Sequence, residues 1–276
     1  GLIDLPNENI GRVQNQGMEI QLSHFNKIGE VNFRASGNFM FARNKVLFMD
    51  ETPWGEGHEY MNETGGPMGA GLQYRAIGIF RDQAALDSYP HLDAARPGDL
   101  IFEDVDGDGK ITSLDRVRQN LTGFPEIIFG LNLSADWKNF DISVLFQGQA
   151  RAVKDVISRM DATSNFYKWR AEDRWTEDNI DGTMPRAGGT INYGVENPCS
   201  FWTQNASFVR LKNLEIGYTL PNLWFNKLRI SNCRVYLSGQ NLFTLDHIKY
   251  VDPEGSGEGS YYPQMRIFNI GCNLTF

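Results

Sequence analysis

The densest run of chemistry-bearing side chains is Asp104-Val105-Asp106-Gly107-Asp108-Gly109-Lys110-Ile111-Thr112-Ser113-Leu114-Asp115. Carboxylates fall at positions one, three and five of a twelve-residue loop, and Gly109 stands at six, where a sharp turn is needed. Lys110 would offer its backbone carbonyl at seven, Thr112 sits at nine, and Asp115 closes the loop at twelve. Calcium is a hard cation that takes several oxygen ligands, so this spacing makes Asp104, Asp106, Asp108, Lys110, Thr112 and Asp115 a candidate Ca2+ set. The closing Asp is shorter than the usual Glu, which points to monodentate closure and weaker binding. The competing reading is an ion-free turn in which Asp and Gly serve only the backbone.

Little else has catalytic spacing. His24, His58, His91 and His247 are scattered, and no nucleophile–base arrangement, phosphate-binding glycine loop or Cys-x-x-Cys pair is present. Gly65, Gly66, Gly69 and Gly71 read as a flexible loop, since no helical pattern follows them directly. Residues 166–175 read as a short amphipathic helix whose Trp169 and Trp175 pack within a loop or against a partner, or stack on sugar rings. The three cysteines cannot form a closed disulfide framework. Twenty-six Lys and Arg against 34 Asp and Glu give a net charge of -8, which argues against nucleic acid as a partner. The mean hydropathy of -0.40 excludes a helical membrane protein but not a β-barrel, whose strands are average in composition.

The elements that must position these residues are strands. Met18, Ile20 and Leu22 alternate with Glu19, Gln21 and Ser23. Phe33, Ala35, Gly37, Phe39 and Phe41 alternate with Arg34, Ser36 and Asn38. The same period of two recurs from Ile127 to Trp137, Phe140 to Gln147, Leu214 to Thr219, Cys233 to Ser238 and Phe268 to Phe276. Each run has one apolar and one polar face. Such strands fit a soluble sandwich, or a barrel whose apolar face meets lipid. Three features favour the barrel. Several runs exceed the usual soluble strand of about 5 to 6 residues. Short and long connections alternate strictly. Phe25, Trp137, Phe140, Tyr218, Trp224, Phe225 and Phe276 gather at the short-turn side, as in an interfacial girdle. The expected fold is all-β: a membrane-spanning antiparallel β-barrel segment. Its strands are placed near 13–25, 31–43, 126–137, 140–150, 206–220, 228–242 and 264–276, with outer loops 44–125, 151–205 and 243–263. About seven strands leave two unpaired edges, which lipid does not tolerate, so a larger barrel is expected to complete them. The opening Gly1-Leu2-Ile3-Asp4 carries no leader pattern and fits a piece of something longer.

At this point the residues resemble a family. Asn15-Gln16-Gly17-Met18-Glu19, the hairpin around Trp137-Lys138-Asn139-Phe140-Asp141, and Asp173-Arg174-Trp175-Thr176 with Met184-Pro185-Arg186 look like SusC/RagA-like TonB-dependent transporters. Residues 207–221 and 234–243, then Asp252-Pro253-Glu254 and the terminal Phe276, complete an ordered set across nearly the whole chain. The resemblance implies the C-terminal portion of a plugged barrel of roughly 22 strands in the Gram-negative outer membrane, with the plug absent from this chain. It implies extracellular long loops, a periplasmic C-terminus, a SusD-like lipoprotein partner, coupling to the TonB complex, and import of a glycan or peptide rather than catalysis. It also implies that Phe268, Ile270, Leu274 and Phe276 form an outer-membrane assembly signal. The alternatives are a soluble secreted β-sandwich with a calcium loop, and a porin-like barrel without plug. Polar residues such as Arg34, Asn38, Asn132, Asp136 and Gln147 are expected to line the lumen. Cys233 and Cys272 are expected to lie close together on the apolar face without a disulfide.

Overall fold

A computed structural model describes residues 10–156, 168–188, 190–193, 197–221, 230–255 and 264–276. Seven long strands form one sheet: β1 (Arg12–Ile28), β2 (Val31–Phe48), β3 (Ile127–Trp137), β4 (Phe140–Ala150), β5 (Phe208–Thr219), β6 (Asn232–Asp246) and β7 (Ile267–Thr275). Each pairs antiparallel with the next along the chain, giving an open meander. Two of its turns are minimal. Gly29 and Lys138 take left-handed φ of 62° and 54°, as tight hairpin turns require. The neighbouring turns are joined by Lys138 Nζ and Glu30 Oε2 at 3.2 Å. The third short connection, around residues 222–229, lies outside the described residues, and so do Trp224 and Phe225.

The register shows how the alternation is used. Directly paired residues share a face, and Ile20↔Phe39↔Phe129 continues an apolar row across β1, β2 and β3. Farther along the sheet, Ala135↔Ile142↔Ile216↔Leu237↔Ile270 does the same from β3 to β7. A single apolar face therefore runs over all seven strands. It is not covered: Leu22 is 71% exposed, Leu237 61% and Ile270 83%. An uncovered apolar patch of this extent marks contact with another apolar phase or partner. The opposite face carries Arg34, Asn38, Asn132, Asp136 and Gln147, brought together by pairs such as Arg34↔Ser134 and Asn32↔Asp136.

At the short-turn end Trp137, Phe140 and Tyr218 are adjacent on β3, β4 and β5. Their ring centroids lie 6.3 and 4.6 Å apart, within the range of favourable aromatic pairs. Phe25 departs from the expected girdle. It faces the polar side, where the Arg34 guanidinium covers its ring at 4.6 Å, because its pairing with Arg34 fixes that side.

The buried core lies in the long connections instead. Tyr74, Leu100, Phe102 and Ile111 of the first, Val156, Ile191, Cys199 and Trp202 of the second, and Ile248 at the start of the third form one cluster. Short strand pairs hold it: Leu72–Tyr74 with Arg116–Arg118, Ala76–Ile79 with Leu100–Phe102, and Val153–Asp155 with Thr203–Asn205. Asp99, fully buried, receives Arg186 Nε at 2.6 Å and Asn192 Nδ2 at 2.7 Å, so its charge is paired inside the cap. The three connections thus make one packed cap rather than three separate loops. Three strands run farther into this cap than the alternation indicates. β2 ends at Phe48, β6 at Asp246 and β1 begins at Arg12, because backbone pairing continues where polar residues break the pattern. The glycines at 65 and 66 are tied as well: Gly65 N donates to Val46 O and Val46 N to Gly66 O.

Candidate functional site

The acidic loop lies in the first connection, between the strand Leu100–Phe102 and a short 3-10 turn at Ser113–Asp115. Its shape follows from side chains folding back on the backbone. Asp104 accepts from Gly107 N at 2.9 Å through Oδ1 and from Gly109 N at 3.0 Å through Oδ2. Asp106 accepts from Asp108 N, and Asp108 from Lys110 N at 2.7 Å. Gly107 and Gly109 take φ of 73° and 81°, which side-chain-bearing residues rarely adopt. One carboxylate oxygen from each of Asp104, Asp106 and Asp108 lies within 4.8 Å of the others. Three like charges this close repel, and the donors are all oxygens, so the arrangement fits a hard divalent cation.

Asp115 plays a different part from those three. It is fully buried, and its two oxygens accept from Val105 N and Thr112 N, each at 2.7 Å. Thr112 Oγ1 accepts from Leu114 N, and the Thr112 side chain with the Asp115 backbone N–H completes a capping box. These bonds pin both ends of the acidic loop, while each carboxylate oxygen keeps a second lone pair. Two neighbours had no sequence signal: His58 Nε2 lies 3.4 Å from Asp106 Oδ2, and Tyr60 OH donates to Leu114 O at 2.7 Å. Both lie over 40 residues from their partners, as shown by the separations of 48 and 54.

On the polar face of the sheet, Arg234 bridges Asp141 on β4 and Glu215 on β5, the latter at 2.7 Å. Gly217 lies between them, and a Cβ there would collide with both Arg234 and Asp141. Where β5 enters the cap, Arg210 is 2% exposed and donates to Asp252 Oδ2 at 2.8 Å and Glu254 Oε2 at 2.7 Å. Lys212 Nζ adds a 2.8 Å bond to the same Glu254 oxygen. The third connection is clasped to the sheet by these charges.

Phe268, Ile270 and Leu274 lie on β7 and share the uncovered apolar face; Phe276 follows the strand and is 82% exposed. The Cys233 and Cys272 sulfurs are 3.8 Å apart, unbridged, on a diagonal of the β6–β7 pair. Cys233 is nevertheless buried, so only Cys272 is open on that face. Cys199 is buried in the cap core, and burial pushes its thiol up to about 11, which makes it unreactive. The helix expected over 166–175 is confined to Lys168–Glu172 among the described residues. Trp175 lies beyond it, donating to Arg81 O at 3.1 Å and packed under Gly98, where a Cβ would meet its ring.

No family model matches the chain. Curated relatives do. It is 28% identical to TonB-dependent receptor P26 of Formosa agariphila, over 98% of this chain and 30% of that protein. It is 25% identical to TonB-dependent receptor SusC of Bacteroides thetaiotaomicron, over 98% of this chain and 27% of that protein. The chain therefore spans about three tenths of the length of the relatives it matches. Among solved structures, the RagAB peptide transporter superposes with a TM-score of 0.71 at 24% identity, over 96% of this chain and 30% of that one. The RagAB peptide importer in its open-open state gives 0.69 at 23% identity, over 97% and 29%. These are receptors and transporters, not enzymes. In sequence and in strand architecture alike, the chain is similar to a segment of the SusC/RagA-like TonB-dependent receptors.

Proposed function

We propose that this chain is the C-terminal barrel part of an outer-membrane importer that takes up a glycan or a peptide under TonB control. The observation that carries the reading is the single uncovered apolar face over seven antiparallel strands, with tight turns at one end and a packed cap at the other. In this reading that face meets lipid, the polar face lines the barrel interior, the cap is extracellular and β7 ends on the periplasmic side. A SusD-like lipoprotein covers the cap, and the TonB complex acts through parts of the transporter outside this chain. The likeness to SusC and RagAB supports the partnership, and the RagAB peptide transporter supports the peptide class of cargo. Deleting the gene should abolish energised uptake of one member of a panel of oligosaccharides and peptides. A native protein that purifies as a soluble monomer without detergent would overturn the reading.

In the same protein, we infer that the loop from Asp104 to Asp115 holds a structural Ca2+ through Asp104, Asp106, Asp108, the Lys110 carbonyl, Thr112 and Asp115. The convergence of three carboxylates supports it. Calorimetry on the full-length protein should show calcium uptake that Asp104→Ala removes. No uptake at millimolar calcium would refute the site. The exposed row ending in Phe276 is read as the assembly signal, because an amphipathic edge strand templates strand addition. Deleting Phe276 should lower surface levels several-fold, and unchanged levels would discount that role.

A further inference from the structure

Trp169 has a different fate from Trp175. Its ring stacks on Tyr250 with centroids 4.0 Å apart and planes 6° from parallel. Tyr250 holds a left-handed φ of 72°, a strained backbone for a bulky side chain. Strain of this kind persists where surrounding contacts over-determine it, often at a ligand clamp. Here the contacts are the Trp169 ring and, two residues on, the clasp of Asp252 by Arg210. The second and third connections meet at these rings, and a cavity of about 340 Å³ opens beside them.

That volume lies within the range of about 300–1,000 Å³ of small-ligand sites. Trp169, Phe201 and Tyr250 give it aromatic walls, and Tyr250 remains half exposed. Its polar groups include donors. Gln204 accepts from Lys249 N at 2.7 Å through Oε1, which turns its amide NH2 away from that bond, and Lys249 and His247 also line the cavity. None of the described lining residues is acidic, although Asp and Glu outnumber Lys and Arg by 34 to 26 over the whole chain. The described lining offers a cation no carboxylate, whereas a flat, C–H-rich ring with an anionic substituent finds both aromatic faces and a charged donor.

We propose that this cavity is a subsite for an acidic sugar, a pyranose bearing a carboxylate or sulfate. The proposal rests on the import reading and names a cargo class for it. The test uses the full-length transporter in detergent, titrated with tetragalacturonate, a sulfated galactan oligosaccharide, a neutral galactan oligosaccharide and a glutamate-rich peptide. At least one acidic oligosaccharide should bind, more tightly than the neutral one. Lys249→Gln, a surface change that leaves the fold intact, should weaken it about tenfold, the loss of one charge-assisted bond. Trp169→Ala should weaken acidic and neutral sugars alike. Two carboxylate and sulfate probes separate the possible anionic groups. The proposal falls if neither acidic oligosaccharide binds, if Lys249→Gln binds as well as the parent, or if the peptide is preferred. Gene-dependent, energised uptake measured in cells reports separately on the import reading, so loss of the subsite alone leaves that reading standing.

Discussion

Replacing Arg210 with Ala releases the third connection from the sheet and costs about 3–5 kcal/mol, the range for breaking a buried ion pair from one side. Arg210 is 2% exposed, while its partners Asp252 and Glu254 are 12% and 24% exposed. The substitution strips Asp252 of its hydrogen-bonded cation in a partly buried position, leaving it Lys154, whose ammonium bonds the Asp252 carbonyl, whereas Glu254 keeps Lys212. Burial alone pushes the Asp252 carboxyl up, but hydrogen bonds from Arg210 and from the Glu254 amide outweigh it and hold the group below its ordinary value. A carboxyl depressed in the folded state stabilises fully above its unfolded value of about 3.9, and that contribution fades as pH falls through the lower folded value. Acid below about pH 4 should therefore loosen the same connection in the parent protein. Protease cleavage between residues 244 and 255 reads both effects. The double change Arg210→Met and Asp252→Asn should recover much of the loss, because it removes the stranded charge as well as the pair while Glu254 keeps Lys212. Cleavage that is equally slow in Arg210→Ala and the parent would show that the clasp does not hold the connection. Since Tyr250 lies two residues from Asp252, the single variant should also weaken ligand binding at the Trp169 cavity.

The sheet was readable from the sequence because its physical demand is periodic. A strand between an apolar phase and a polar one must alternate, and Phe33 to Phe41 or Phe268 to Phe276 does so over many residues. The same logic fails at the strand ends. From Arg43 to Lys45 the residues are polar on both faces, and only pairing with β1 keeps them extended. The cap was hidden for a stronger reason. Its core joins Tyr74, Phe102, Trp202 and Ile248, residues drawn from three connections and held by strands of three or four residues, too short for any period to show. In the acidic loop the spacing shows which oxygens converge, but it does not show that Asp115 closes the loop through Val105 and Thr112. Nor can it bring in His58 and Tyr60, which arrive through the cap's tertiary packing.

Leu237→Arg is the change that asks directly what the uncovered face touches. Leu237 lies between Ile216 and Ile270 near the middle of β6 and is 61% exposed. On a lipid-facing barrel surface, Arg at mid-depth costs about 2–4 kcal/mol. The neighbouring Ser238 pairs with Glu215 and Asn269 on the opposite, polar face, where an added Arg meets an acidic partner. Ser238→Arg should then be near neutral in folding yield and thermal stability in detergent. This contrast does not separate lipid from a protein core, since a buried Leu would resist Arg as well. Leu237→Trp supplies the missing comparison. A packed core charges about 1–3 kcal/mol for excess volume, whereas fluid lipid makes room for it. Near-parental stability for Leu237→Trp, combined with a large loss for Leu237→Arg, assigns the face to lipid. A large loss for both would instead place a protein layer over it, and the barrel reading would fail with it.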